Sequence, residues 1–213
     1  MELEHVLPQD IEKRSFEIIT KELHDRNIRI DEDKAFLIKR AIHTTADFEY
    51  AHTLTFSDGA IVKMATLIRN GACIITDTNM GLSGINKSEL ARYGGEVFCF
   101  MADEDVKAEA ARRGVTRAFV SMEKASRLGK DVIFAIGNAP TALINLRTMY
   151  DDRLFTPKFI IGVPVGFVNV EYAKELIMET DIPYIINRGR KGGSNVAAAI
   201  CNAILYEMRK GNL

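Results

Sequence analysis

The chain has 213 residues, 47% of them hydrophobic, which is enough for one substantial core and short for two. Its 28 Lys and Arg against 29 Asp and Glu leave no positive excess for a nucleic-acid surface. No apolar run reaches the roughly 18 residues of a membrane span, and the start, MELEHVLPQDIEKRS, lacks the apolar core of a signal peptide, so a soluble cytoplasmic protein is expected.

Residues 10–26 carry Ile11, Phe16, Ile18, Ile19 and Leu23 at helical spacing and predict a first helix. Asp31 then reads as the N-cap of a second, DEDKAFLIKRAIHTT, with acids in its first turn as the helix dipole favours. It closes in RAIHTTADFEY (Arg40 to Tyr50), which sets His43 at the helix exit with Arg40, Thr44, Thr45 and Asp47 within one turn. Arg40 and His43 are three apart and share a face; Asp47 follows four beyond His43 if the helix runs that far. An imidazole gives or takes a proton near neutral pH at little cost, although a histidine here can equally cap the last carbonyls of its helix.

Residues 52–56 suggest a short edge strand, and residues 59–70 a third helix stopped by Gly71. The remainder alternates. Strands are expected over 72–77, 97–101, 131–136, 158–163 and 183–187. Helices are expected over 87–93, 103–113, 116–128, 140–150, 170–179 and from 195 to about 209. Short apolar strands each followed by helix mean a mostly parallel sheet covered on both faces, and no linker or repeat divides the chain. The expectation is α/β: one doubly wound domain over residues 1–213.

In such sheets the ligand lies beyond the C-terminal strand ends, where the winding reverses. The loops to read are therefore TDTNMG, GNAPTA, GVPVGFVN and NRGRKGGSN. The last sets Arg188, Arg190 and Lys191 before a helix N-terminus, which suits an anion; an ordinary turn with solvated cations is the plainer reading. For GNAPTA the plainer reading is a helix start with Pro140 in the first turn. Neither GxxxxGK[ST] nor GxGxxG is present, and Ser194 lacks a GxSxG elbow. Cys73, Cys99 and Cys201 show no CxxC spacing, and His5, His24, His43 and His52 no i, i+4 pair, so no disulfide framework or metal site is expected.

IEKRSF (Ile11 to Phe16), RAIHTTADF (Arg40 to Phe48), TDTNMGLSGI (Thr76 to Ile85), TRAF (Thr116 to Phe119), AIGNAPTAL (Ala135 to Leu143), GVPVGFVN and YIINRGRKGGSNVAAAI occur in this order. Together they resemble the precorrin-8X and cobalt-precorrin-8 methylmutase family, over about Pro8 to Leu205. The resemblance implies an isomerase that moves a methyl group from C-11 to C-12 of a corrin ring without an added cofactor. It implies that His43 donates and accepts a proton at a ring nitrogen, with Ser15, Arg40, Thr78, Arg117 and Arg188 binding the substrate. Thr44, Thr45 and Gly189 are expected beside them. It also implies a homodimer with the substrate cleft at the subunit interface. Ala46 departs from the glycine common at this point in relatives. A non-catalytic tetrapyrrole-binding protein and a phosphate- or nucleotide-binding α/β enzyme using NRGRKGGSN are the alternatives. A partner nucleic acid or membrane is not expected.

Overall fold

The computed structural model describes residues 4–213; Met1, Glu2 and Leu3 of the charged start lie outside the described residues. After a 3-10 turn at Pro8–Asp10 come α1 (Ile11–Asp25), α2 (Ala35–Thr45), α3 (Tyr50–Thr53), β1 (Leu54–Phe56) and α4 (Ala60–Arg69). Then follow β2 (Cys73–Thr76), α5 (Asn79–Gly84), α6 (Lys87–Ala91), β3 (Val97–Phe98), α7 (Glu104–Arg113) and α8 (Arg117–Ser126). The chain ends with β4 (Val132–Ile136), α9 (Pro140–Asp151), β5 (Phe159–Gly162), α10 (Val170–Met178), β6 (Tyr184–Asn187) and α11 (Ser194–Lys210).

The strands form one six-stranded sheet in the order β1-β6-β5-β4-β2-β3. All neighbours are parallel except β1, which runs against β6 with Leu54 opposite Asn187. Every residue of β2, β4 and β5 is buried, as expected of strands covered on both faces. One layer packs α1, α2, α4 and α11 around Leu37, Ile42, Met64, Ile200 and Ile204. The opposite layer packs α8, α9 and α10 around Met122, Leu143, Leu146 and Ile177. Each such side chain contributes roughly 1.5–3 kcal/mol on burial. Alanines at 197, 198 and 203 are buried on α11 among its larger apolar residues, and their small side chains let neighbours approach closely.

Some expectations need correcting. Helix α2 begins at Ala35, because Asp31 to Lys34 forms a turn closed by the Lys34 N–H on the Asp31 carbonyl (3.1 Å). β3 covers only Val97 and Phe98, at an edge with β2 as its one neighbour. The expected strand over 52–56 opens as the helical turn α3, and only Leu54–Phe56 pairs, at the predicted edge. Helix α5 was not foreseen: its glycines speak against a helix, yet Thr78 caps it by accepting the Gly81 N–H at 3.0 Å. Along α1, Ile19 and Leu23 are buried, whereas Ile11 and Ile18 face solvent.

Two features of this topology place the site. From β2 the chain steps outward to β3 and then returns to β4 on the other side of β2, so the winding reverses between β2 and β4. Because β1 is antiparallel, its start lies beside the C-terminal end of β6. The last turn of α2, which carries His43 and leads through α3 into β1, therefore reaches the same end of the sheet as the strand-end loops.

Candidate functional site

Helix α2 ends where Ala46 adopts a left-handed conformation (φ 54°, ψ 26°) and its N–H returns to the Ile42 carbonyl. This sets His43 in the last turn, exposed and stacked on Phe16 of α1, with ring centroids 5.4 Å apart and planes 26° from parallel. The imidazole makes no hydrogen bond among the described residues, so it does not cap its helix. Ser15, Ile18, Ile42, Ala46 and Phe48 join it in lining an open groove of about 430 Å³. The groove is apolar at its base, with Glu22 and Arg26 at its edge and the Arg26 guanidinium 4.0 Å above the Phe48 ring.

The residues expected around His43 are turned elsewhere. Thr44 and Thr45 donate back to the Arg40 and Ala41 carbonyls at 2.9 and 2.8 Å. Asp47 lies beyond the helix and receives the Lys191 ammonium at 2.5 Å, which holds its carboxyl below the usual range. Arg40 does share a face with His43, but Phe16 stands beneath both, with the Arg40 guanidinium 4.8 Å from the Phe16 centroid. Arg40 pairs with Glu12 at 2.5 Å and faces a second, wider cleft of about 870 Å³ that includes Lys39, Tyr206 and Arg209. Ser15 donates to the Ile11 carbonyl at 2.9 Å and lines the His43 groove.

At the winding reversal, buried Asp77 organises the strand-end loops. Its carboxylate receives the N–H groups of Gly137, Asn138 and Ala139 at 2.9, 2.8 and 2.5 Å. Burial pushes this carboxyl up, against the pull of those donors, which favour the charged form. Thr78 Oγ1 and Ser194 Oγ meet at 2.7 Å, tying the loop after β2 to the first residue of α11. Gly137 is required by this closeness, since a Cβ there would stand 2.6 Å from the Ser194 Cα. Thr116 and Thr141 hydroxyls meet at 2.8 Å beside Arg117, whose exposed side chain donates to the Met101 carbonyl at 3.3 Å.

The basic loop after β6 is less free than its sequence suggests. Lys191 is shared by Asp47 and Glu49, Arg190 pairs with Glu171 at 3.0 Å, and Arg188 lies 3.9 Å from Glu175. Only the exposed, weakly held Arg188 and Arg190 are readily released to a ligand. Behind them the Asn187 side chain accepts from Thr53 Oγ1 at 2.7 Å and donates to the Lys191 carbonyl at 2.9 Å, joining β6 to α3. Lys174 of α10 lies fully buried beneath the same loop, and burial lowers its ammonium to about 8.

The expected residues thus form separate groups, and Arg40 faces the last turns of α11 rather than the strand-end loops. Ser15 and His43 share a groove; Arg40 lies across Phe16; Thr78 joins Ser194; Arg117, Arg188 and Gly189 stand on other loops. Among the described residues no hydrogen bond or ion pair joins His43 to Thr78, Arg117 or Arg188. Sequence reasoning missed Phe16 as a platform, Asp77 as an organiser and Lys174. Asp77 carried a signal, an acid closing an apolar strand run. Phe16 was absorbed into the apolar stripe of α1. Cys73 and Cys201 are buried and free, while Cys99 is only half-buried, just past the shortened β3. No group of three or more His, Cys, Asp or Glu among the described residues is placed to hold a metal ion.

Fold and crevice define a doubly wound α/β protein that opens its ligand side at the carboxyl ends of its strands. The sequence model described as "CbiC: Precorrin-8X methylmutase" matches residues 10–207. The cobalt-precorrin-8 methylmutase of Salmonella typhimurium is 43% identical over 209 residues, 95% of this chain and 97% of its own. That of Priestia megaterium is 41% identical over 93% of this chain and 88% of its own. A crystal structure of precorrin-8X methylmutase from Thermus thermophilus superposes with a TM-score of 0.85 at 34% identity, covering 96% of this chain and all of that one. The chain belongs to the precorrin-8X methylmutase family and is an isomerase. No helix among the described residues is long and apolar enough to cross a membrane.

Proposed function

We propose that this protein shifts a methyl group from C-11 to C-12 of precorrin-8X or cobalt-precorrin-8, with His43 as the group that lends and recovers the proton. The products are hydrogenobyrinate or, with cobalt in the ring, cobyrinate. The observation that carries the reading is His43 itself: exposed, free of hydrogen bonds among the described residues, and stacked on Phe16 above an apolar groove. A flat ring laid along that groove finds apolar side chains against its face and an imidazole with both nitrogens free. Protonation of a conjugated ring nitrogen redistributes charge in the macrocycle and lowers the barrier to migration. The methyl group stays within one molecule, so the protein supplies a proton and a shape rather than a nucleophile.

Carboxylate arms around the ring call for separate donors at the rim, a role we assign to Arg40, Thr78, Arg117, Arg188 and the Gly189 N–H, and to Ser15, Thr44 and Thr45 once their hydroxyls turn from the helix carbonyls they now meet. These lie too dispersed in one chain to enclose a ring. A homodimer, with a second copy closing the open side of the His43 groove, gathers them at a subunit interface. We place the reaction in the cytoplasm.

The decisive comparison is His43→Ala with the wild type. The variant should still bind hydrogenobyrinate, read as a shift in the visible spectrum, while kcat falls by about 10²–10⁴. An alanine variant that turns over at the wild-type rate refutes the assigned role.

A further inference from the structure

Lys174 has no place in the chemistry above, yet its aliphatic stem and amine are fully buried on α10. Its Nζ donates to the Gly189 carbonyl at 2.7 Å and to the Lys191 carbonyl at 2.9 Å. It makes no salt bridge to a carboxylate among the described residues; Glu171, one turn earlier on α10, is taken by Arg190. A buried ammonium spent wholly on two loop carbonyls is costly to desolvate, so its geometry calls for a reason.

The neighbouring carbonyls supply one. Arg188 O receives Asn187 Nδ2 at 3.3 Å, Arg190 O receives the Gly166 N–H at 3.1 Å, and Lys191 O also receives Asn187 Nδ2 at 2.9 Å. Four successive carbonyls, 188 to 191, therefore each accept a hydrogen bond, from Asn187, Lys174 or the Gly166 N–H. In a planar trans peptide the N–H of the next residue points opposite to the carbonyl. The N–H groups of Gly189, Arg190, Lys191 and Gly192 are thus turned away from those donors, and none makes a hydrogen bond among the described residues. Gly189 is left-handed (φ 74°), and Gly192 lies so close to β5 that a Cβ would overlap the Val163 carbonyl oxygen. Successive backbone N–H groups left without partners are the element from which anion-binding concavities are built.

We propose that Lys174 is a positioning residue that holds these four N–H groups facing the crevice, where they bind a carboxylate arm of the substrate. The inference rests on the corrin reading of the site. Lys174 itself touches no substrate; it acts through the backbone, as Asn187 does from the other side. Arg188 and Arg190 flank the concavity and give up weak surface pairs when a carboxylate arrives.

The test uses the full-length protein, hydrogenobyrinate and the natural ring substrate. Lys174→Met keeps the apolar stem and removes both donors. It should raise KM about tenfold or more and leave kcat within about threefold, the pattern of lost uniform binding. A merely structural role would lower the active fraction, and with it the apparent kcat, at unchanged KM; that result overturns the proposal. A second measurement needs no variant. In wild-type protein the amide resonances of residues 189–192 should move on adding hydrogenobyrinate, and resonances that stay fixed at saturation overturn the proposal even if Lys174→Met fails to fold. Absence of turnover in the wild type would strike the proposed activity instead and leave the amide shifts to decide the loop.

Discussion

Two residues of the His43 turn explain why it is built as it is. Ala46 stands at φ 54°, a conformation that glycine adopts freely and a Cβ disfavours by roughly 1 kcal/mol. A glycine at this position would therefore serve the backbone rather than the chemistry. Ala46→Gly should raise stability by about 0.5–1 kcal/mol in urea unfolding, since relief of the left-handed strain outweighs the added freedom of the unfolded chain. Its kcat should be unchanged, because Ala46 lends the groove a methyl group only. Phe16 is the second residue. By lying between Arg40 and His43 it separates a cation from an imidazole that the helix repeat places on one face, which leaves the imidazole without an ion-pair partner among the described residues. The expected loss on His43→Ala follows from the same isolation, since the groove's other ionisable groups, Glu22 and Arg26, are paired with each other at 2.7 Å.

Among the elements, the short links at the strand ends matter more than the helices. Asp77 closes β2 and captures three backbone N–H groups of the loop between β4 and α9, which fastens the two sides of the winding reversal. Asparagine offers one acceptor oxygen and turns its NH₂ toward donors. Asp77→Asn should therefore cost about 2–4 kcal/mol, measured as a lower urea midpoint at constant m-value. An unchanged midpoint would mean the loop is held by Pro140 and the Thr78–Ser194 contact alone. On the other side, Lys191 bridges to Asp47 and Glu49, and Thr53 meets Asn187, so the connection from α2 to β1 is anchored to the loop after β6. The position of His43 relative to the sheet follows from these contacts together with the packing of α2 on α11.

For the molecule as a whole, the sheet carries a different burden on each face. The layer of α1, α2, α4 and α11 bears the His43 groove, while the layer of α8, α9 and α10 supplies packing and the Arg117 rim. Phe167 and Val168, 82% and 78% exposed, stand with Tyr172 on and after the loop between β5 and α10. An apolar cluster of this kind on a surface is typical of an interface. Sedimentation should find a homodimer at micromolar concentration, and the monomer fraction produced by dilution should lose activity in proportion. A monomer fully active at the lowest concentrations would show that one chain suffices to hold the ring.

The amino-acid order by itself determined the alternation of buried strands and helices, because short apolar runs and a 3.6-residue apolar period are local properties. It also placed the edge strand β1, the exit of α2 at His43 and, through the family motifs, the isomerase assignment. Where periodicity was weak it failed: α5 depends on a threonine cap that outweighs its glycines, and β3 is cut short because an edge strand has one neighbour to pair with. Only the tertiary structure decided the partners of the charged groups. Asp47 answers to Lys191, 144 residues away, rather than to His43, four away. Asp77 serves a loop 60 residues on, and Lys174 spends its charge on the carbonyls of a turn. Electrostatic and hydrogen-bond partners are set by distance in space, and chain order constrains that distance only within a single turn.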